Sequence, residues 1–154
     1  MNTLPLWPFA LLATLVALGY RQSRERLVRP RTLARLAAAM LALSLYGVMS
    51  TFGASLVPVL AWAAGFAASV RLGGPVFAPR GLAREGEAVR MPGSWVPMGL
   101  MLGIFVARFA LGFATGTHAA VMDEPWFVAT ACAVLGLLSG GFAARAAAVR
   151  RFAA

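Results

Sequence analysis

Long apolar runs alternate along this chain with short segments rich in arginine. A helix that crosses a bilayer needs about 20 mostly apolar residues, because hydrocarbon offers the backbone no hydrogen-bond partners and the helix supplies its own. The first such run is Leu4 to Tyr20. From Leu36 to Val70 there is no charged residue, a length too great for one crossing and suited to two, and the turn-forming "STFGAS" at Ser50 to Ser55 divides it. Apolar character resumes at Trp95, lasts to about Thr115, is broken by "GTHAAVMDEP", and returns from Trp126 to Ala144. The pattern predicts an all-α fold over 1–154, a five-helix transmembrane bundle with spans at about 4–20, 36–51, 55–70, 95–115 and 126–144. The 71–94 loop is the one soluble-looking piece, and its "AREGEAVRM" centre suits either a short hairpin or an irregular loop.

Composition agrees with this pattern. The chain is 60% hydrophobic and 12% charged, against about 25% charged in average soluble domains. A net charge of +9 raises the question of nucleic acid, but such binding needs basic residues on a solvated surface, and here they separate apolar runs. All 14 basic residues are arginine, and 13 of them fall in three places: Arg21 to Arg35, Arg71 to Arg90, and Arg145 to Arg151. In a five-span arrangement these lie on one side, and the other side carries Asp123 and Glu124. Cytoplasmic loops are enriched in Lys and Arg, so the N-terminus is expected outside and the C-terminus in the cytoplasm, in the inner membrane of a bacterium. The first run lacks a basic n-region and a cleavage site and is expected to remain as an anchor. Arg24, Arg26, Arg29 and Arg31 are expected to meet anionic lipid headgroups, at about 1 kcal/mol per residue. Trp7, Tyr20, Trp95 and Trp126 sit near span ends, as in an interfacial aromatic belt, and Trp62, in mid-span, is expected to pack against another helix.

One residue stands against the apolar pattern. Arg108 falls in the middle of the fourth span, where an arginine costs roughly 2.5–3.5 kcal/mol on insertion scales, and no acidic residue lies within any span to offset it. At about 100° per residue, Gly112 and Thr115 share its face and Gly99 and Gly103 lie opposite. Tyr46, Ser44 and Ser50 on the second span, Thr130 and Ser139 on the fifth, and backbone carbonyls are candidate partners, among them the Ala54 carbonyl that Pro58 leaves free. Two readings stay open: a structural fastener bonded to neutral groups, or a ligand site for an anion formed by Arg108, Gly112, Thr115 and Tyr46. The pairs Gly99/Gly103, Gly112/Gly116 and Gly136/Gly140 are GxxxG patterns that let helices approach closely, which predicts tight packing of the fourth and fifth spans or a homodimer.

Other chemistry is sparse. Cys132 is the single cysteine, so neither an internal disulfide nor a cysteine metal cluster is expected. His118 in the outer loop has no second histidine or cysteine partner, and Met98 and Met101 read as packing. There is no paired-carboxylate site, no nucleophile with a base and no phosphate-cradling glycine loop, so the sequence predicts neither an enzyme nor a cofactor.

The segments "ALSLYGVMSTFG" at 42–53 and "MPGSWVPMGLMLGIFVARFALG" at 91–112, with "RPRTL" at 29–33, resemble a family of small uncharacterised multi-pass bacterial membrane proteins with a PGSW-x-P segment. The resemblance implies that Pro92, Gly93, Ser94, Trp95 and Pro97 open a helix with one basic residue near its middle, and it implies no activity. In span layout alone the chain is also similar to CcdC-type proteins associated with cytochrome c biogenesis, although Cys132 by itself provides no thiol pair. Two functions are expected from these readings. The first is a non-enzymatic membrane protein that associates with itself or a larger complex. The alternative is a carrier or channel for a small anion with Arg108 lining the site.

Overall fold

The computed structural model describes residues 6–154, so Leu4 and Pro5 of the expected first span lie outside the described residues. The helices are α1 (Trp7–Gln22), α2 (Pro30–Phe52), α3 (Leu56–Leu72), α4 (Gly74–Phe77), α5 (Val96–Gly116) and α6 (Pro125–Ala153), and the strands are β1 (Arg26–Val28), β2 (Ala83–Glu85) and β3 (Ala88–Met91). A proline sits in the first turn of α1, α2, α4, α5 and α6. Its missing N–H is lost where no intrahelical partner exists, and its fixed φ suits the helix start. The turn between α2 and α3 closes on Gly53 at φ +78°, a left-handed conformation that side chains disfavour.

Three helices, α2, α5 and α6, are long and apolar enough to cross a membrane, and α3 is a shorter apolar helix of 17 residues. Many large apolar side chains on these helices face outward, including Leu43, Leu60, Val106, Phe109 and Phe113. Outward apolar surface on long apolar helices is the build of a membrane protein.

The fold is not all-α. Strands β1, β3 and β2, in that spatial order, form a small antiparallel sheet, with Leu27 opposite Arg90 and Arg84 opposite Val89. Strands β2 and β3 are a hairpin across Gly86-Glu87, and Gly86 at φ +61° takes the first turn position that demands positive φ. The segment from Arg26 to Val28, expected only as a charged loop, supplies the third strand. Arg90, on the open face, pairs with Glu25 at 3.3 Å and with Glu85. Val89 and Met91 turn the other way and are buried with Val149 of α6.

Helix limits also differ from the apolar runs. Helix α2 starts at Pro30 and α6 continues to Ala153, where the runs begin at 36 and end at 144. Arginine is a good helix former, so Arg31, Arg35, Arg145, Arg150 and Arg151 end an apolar run without ending a helix.

Helix α6 is central. It packs along α3 and also touches α2 and α5, while α1 lies against α5. The α3–α6 seam is a backbone contact: a Cβ on Gly136 would collide with the Trp62 carbonyl, one on Gly65 with the Ala133 carbonyl, and one on Gly140 would come within 2.7 Å of Ser69 Cβ. Gly136 and Gly140 were expected against the fourth span or in a homodimer, and here they lie against α3. Helix α5 meets α6 through side chains set into glycine notches, Leu138 over Gly103 and Leu100 over Gly141. Between α2, α3, α5 and α6 lies a buried cluster of Val48, Trp62, Leu111, Cys132 and Leu135.

Candidate functional site

Arg108 projects from the middle of α5 onto α2. Its Nη2 donates to the carbonyl oxygens of Leu43 at 3.2 Å and Ser44 at 3.3 Å. Carbonyls have two lone pairs, so oxygens already engaged in a helix can accept a second donor. The approach depends on Gly47: a Cβ there would occupy the position of the Arg108 guanidinium. Gly47 was absent from the predicted site, although a glycine in the second span was the available signal for a close approach by a bulky neighbour.

Directly behind this contact, the same turn of α2 carries a buried polar link. Trp62 Nε1–H donates to Ser44 Oγ at 3.1 Å, the Ser44 and Ser139 hydroxyls hydrogen-bond at 2.7 Å, and the Ser139 hydroxyl also bonds to the Leu135 carbonyl at 2.8 Å. Trp62 stacks on Phe66 with ring centroids 5.6 Å apart. One serine hydroxyl therefore ties α2 to α3 and α6, while its own carbonyl holds α5.

Arg108 also lines a groove of about 400 Å3 walled by α1, α2, α5 and α6, with Leu11, Leu15, Met40, Leu43, Ile104 and Phe105 among its lining residues. Tyr46 and Ser50 border the same groove, and Tyr46 is exposed. The other residues expected with Arg108 lie elsewhere. Thr115 donates to the Leu111 carbonyl of its own helix and borders a separate pocket of about 600 Å3 with His118 and Asp123. Gly112 and Gly116, like Gly99, have no neighbour within reach of a Cβ among the described residues. Thr130 donates back to the Trp126 carbonyl. Pro58 lies in the first turn of α3, so the Ala54 carbonyl precedes the helix and no acceptor is released inside a span. Among the described residues no group of three His, Cys, Asp or Glu residues comes together.

A second arginine site is at the end of the molecule that holds the sheet. Arg24 lies over the Tyr20 ring at 5.2 Å and donates to its hydroxyl at 3.2 Å, and Arg29 and Arg31 are exposed. Arg26 is half-buried, and burial lowers its guanidinium below the ordinary arginine value. Arg145, counted from sequence as part of a charged tail, is 4% exposed. Its spacing from Leu138, Phe142 and Val149 places it on the inward face of α6, a periodicity visible in the sequence once the helix is continued past Ala144. Ser94, in the PGSW segment, accepts the Val96 N–H at the start of α5 at 3.2 Å. A Cβ on Gly93 would collide with the Ser23 carbonyl, which explains a glycine there.

The sequence model of the DUF6622 family, a family of unknown function, matches residues 1–154, and the chain belongs to that family. No curated protein and no solved structure matches it.

Proposed function

Starting from membership of a family whose function is unknown, we propose that this chain is a five-span, non-enzymatic protein of the bacterial inner membrane that binds an anion with an apolar body. The observation that carries the reading is Arg108, a cation without a carboxylate partner among the described residues, set in the wall of a mostly apolar groove. Two carbonyls engage only Nη2, so the remaining guanidinium donors are left for a ligand. A small inorganic anion would leave the apolar walls unused, and an uncharged lipid would leave the arginine unused. An anionic amphiphile uses both.

Five spans follow if α1 and α3 cross beside α2, α5 and α6. At 1.5 Å per residue the 17 residues of α3 extend about 25 Å, within the range for a spanning helix. The sheet supports the topology, since it joins the α1–α2 and α3–α5 connections next to the end of α6, and the three arginine-bearing segments share one end. By the positive-inside rule that end is cytoplasmic, with the N-terminus outside.

The test is retention of radiolabelled oleate by the purified protein in phosphatidylcholine nanodiscs. Arg108→Gln is expected to lower retention about tenfold, the loss of roughly one charge-assisted hydrogen bond. Equal retention by a folded Arg108→Gln protein overturns the reading.

A second reading, self-association or docking into a larger membrane complex, is favoured by one observation: Gly112 and Gly116 present an open small-residue face on α5. Gly112→Leu with Gly116→Leu is then expected to reduce oligomer size in detergent, and an unchanged size argues against it.

A further inference from the structure

The end of α6 holds a buried cation that the Arg108 reading does not use. Arg145 Nη1 donates to the Phe77 carbonyl at 3.0 Å, and its Nη2 is buried with no hydrogen-bond partner. Among the described residues the ion pairs are those of Arg90 with Glu25 and Glu85, so no carboxylate neutralises Arg145. The charge that bears on it is like-signed, that of Arg26. Guanidinium does not shed its proton in proteins, so a buried, half-satisfied arginine beside another cation calls for an anion.

A pocket is present to receive one. Arg145 lines a space of about 240 Å3 together with Arg80, Pro92, Gly93, Ser94 and Pro79. Arg80 spends one Nη2 contact on the Pro75 carbonyl at 2.7 Å and keeps its other donors. The Ser94 hydroxyl accepts from Val96 N–H, and its own proton has no acceptor among the described residues. No acidic residue lines the pocket. At ~30 Å3 per water the volume equals about eight waters, enough for a phosphate group with a short ester arm. Two guanidinium forks and a hydroxyl match several phosphate oxygens at once, whereas a carboxylate offers only two.

We propose that the pocket between α4, α6 and the PGSW segment, formed by Arg145, Arg80 and Ser94, binds a phosphate group. The group comes either from a lipid headgroup or from a soluble phosphate, and the two sources share this chemistry. The site is separate from the Arg108 groove and stands or falls without it.

The test uses the full chain in dodecyl maltoside micelles, which carry no phosphate, with binding read by thermal stabilisation against ligand concentration. One arm adds inorganic phosphate. The other adds phosphatidic acid to the micelles. Stabilisation in the first arm identifies a soluble phosphate, stabilisation only in the second identifies a lipid headgroup, and stabilisation in neither overturns the proposal. Arg80→Gln removes an exposed side chain and leaves the core intact; it is expected to weaken binding about tenfold, one lost charge-assisted contact. Arg145→Gln is expected to weaken it at least as much, and if that protein does not fold, Arg80→Gln carries the test. Arg84→Gln, which removes an exposed arginine outside the pocket, is expected to leave binding unchanged. An Arg80→Gln protein that binds as wild type overturns the site, and so does an equal loss in Arg84→Gln, because binding would then belong to the general basic surface.

Discussion

Helices α5 and α6 carry the same glycine spacing and put it to different use. In α6, Gly136 and Gly140 lie against the backbone of α3, whose own Gly65 returns the contact at Ala133. In α5, Gly112 and Gly116 meet none of the described residues, and Gly103 receives the side chain of Leu138. A small-xxx-small pair permits a close approach, but the approach happens only where the facing helix also presents small residues or bare backbone. Helix α3 does so over "AWAAGFAAS". Helix α5 instead fastens to α2 through a long charged side chain, and there the small residue lies on the partner, at Gly47.

The contrast is open to direct attack. Gly136→Leu should have the largest effect, about 3 kcal/mol or more of destabilisation, because its neighbours are backbone atoms that cannot turn aside. Thermal unfolding in detergent would show it, and a wild-type melting temperature would mean that the seam is not closed as described. Ser44→Ala comes next, with a loss of about 1–3 kcal/mol, since it strands the buried Trp62 indole N–H and breaks the link to Ser139. A red-edge or quenching change in Trp62 fluorescence should accompany it, best read in a protein whose other three tryptophans are replaced by phenylalanine. Gly47→Ala should cost about 1 kcal/mol, near the low end for overpacking, because the displaced atoms are the far end of a flexible arginine. It should also lower oleate retention, as is expected of Arg108→Gln. Gly112→Leu should shift monomer stability by no more than about 0.5 kcal/mol, the usual range for an outward site. A large effect there would put α5 and α6 back in the same class.

Two arginines differ in how visible their environments are from the residues alone. Arg108 is conspicuous in the sequence because every neighbour within its span is uncharged, and either neutral acceptors or a bound anion were its expected partners. Which acceptors it uses depends on the rotation and height of α2 relative to α5, a property of two segments separated by more than fifty residues. Arg145 was hidden for the opposite reason. It begins a run that reads as a charged tail, and only the continuation of α6 past α4 and the PGSW segment buries it. The hairpin at Gly86 is a local turn preference and was legible as one option, whereas the pairing of β1 with β3 is a long-range contact with no local signal in "RLV".

What the sequence determined by itself is the set of long apolar helices, their approximate limits, the uneven placement of arginine and the presence of one charge where hydrocarbon would oppose it. These depend on composition within a window of about twenty residues, the length over which a helix must satisfy its own backbone. The tertiary structure decided which glycines are occupied, which carbonyls accept from Arg108, that a three-stranded sheet joins two connections, and that Arg145 is enclosed with an unpartnered donor. Each of these is a contact between segments distant in the chain, and its energy depends on how helix faces are turned toward one another rather than on the residues of either segment alone.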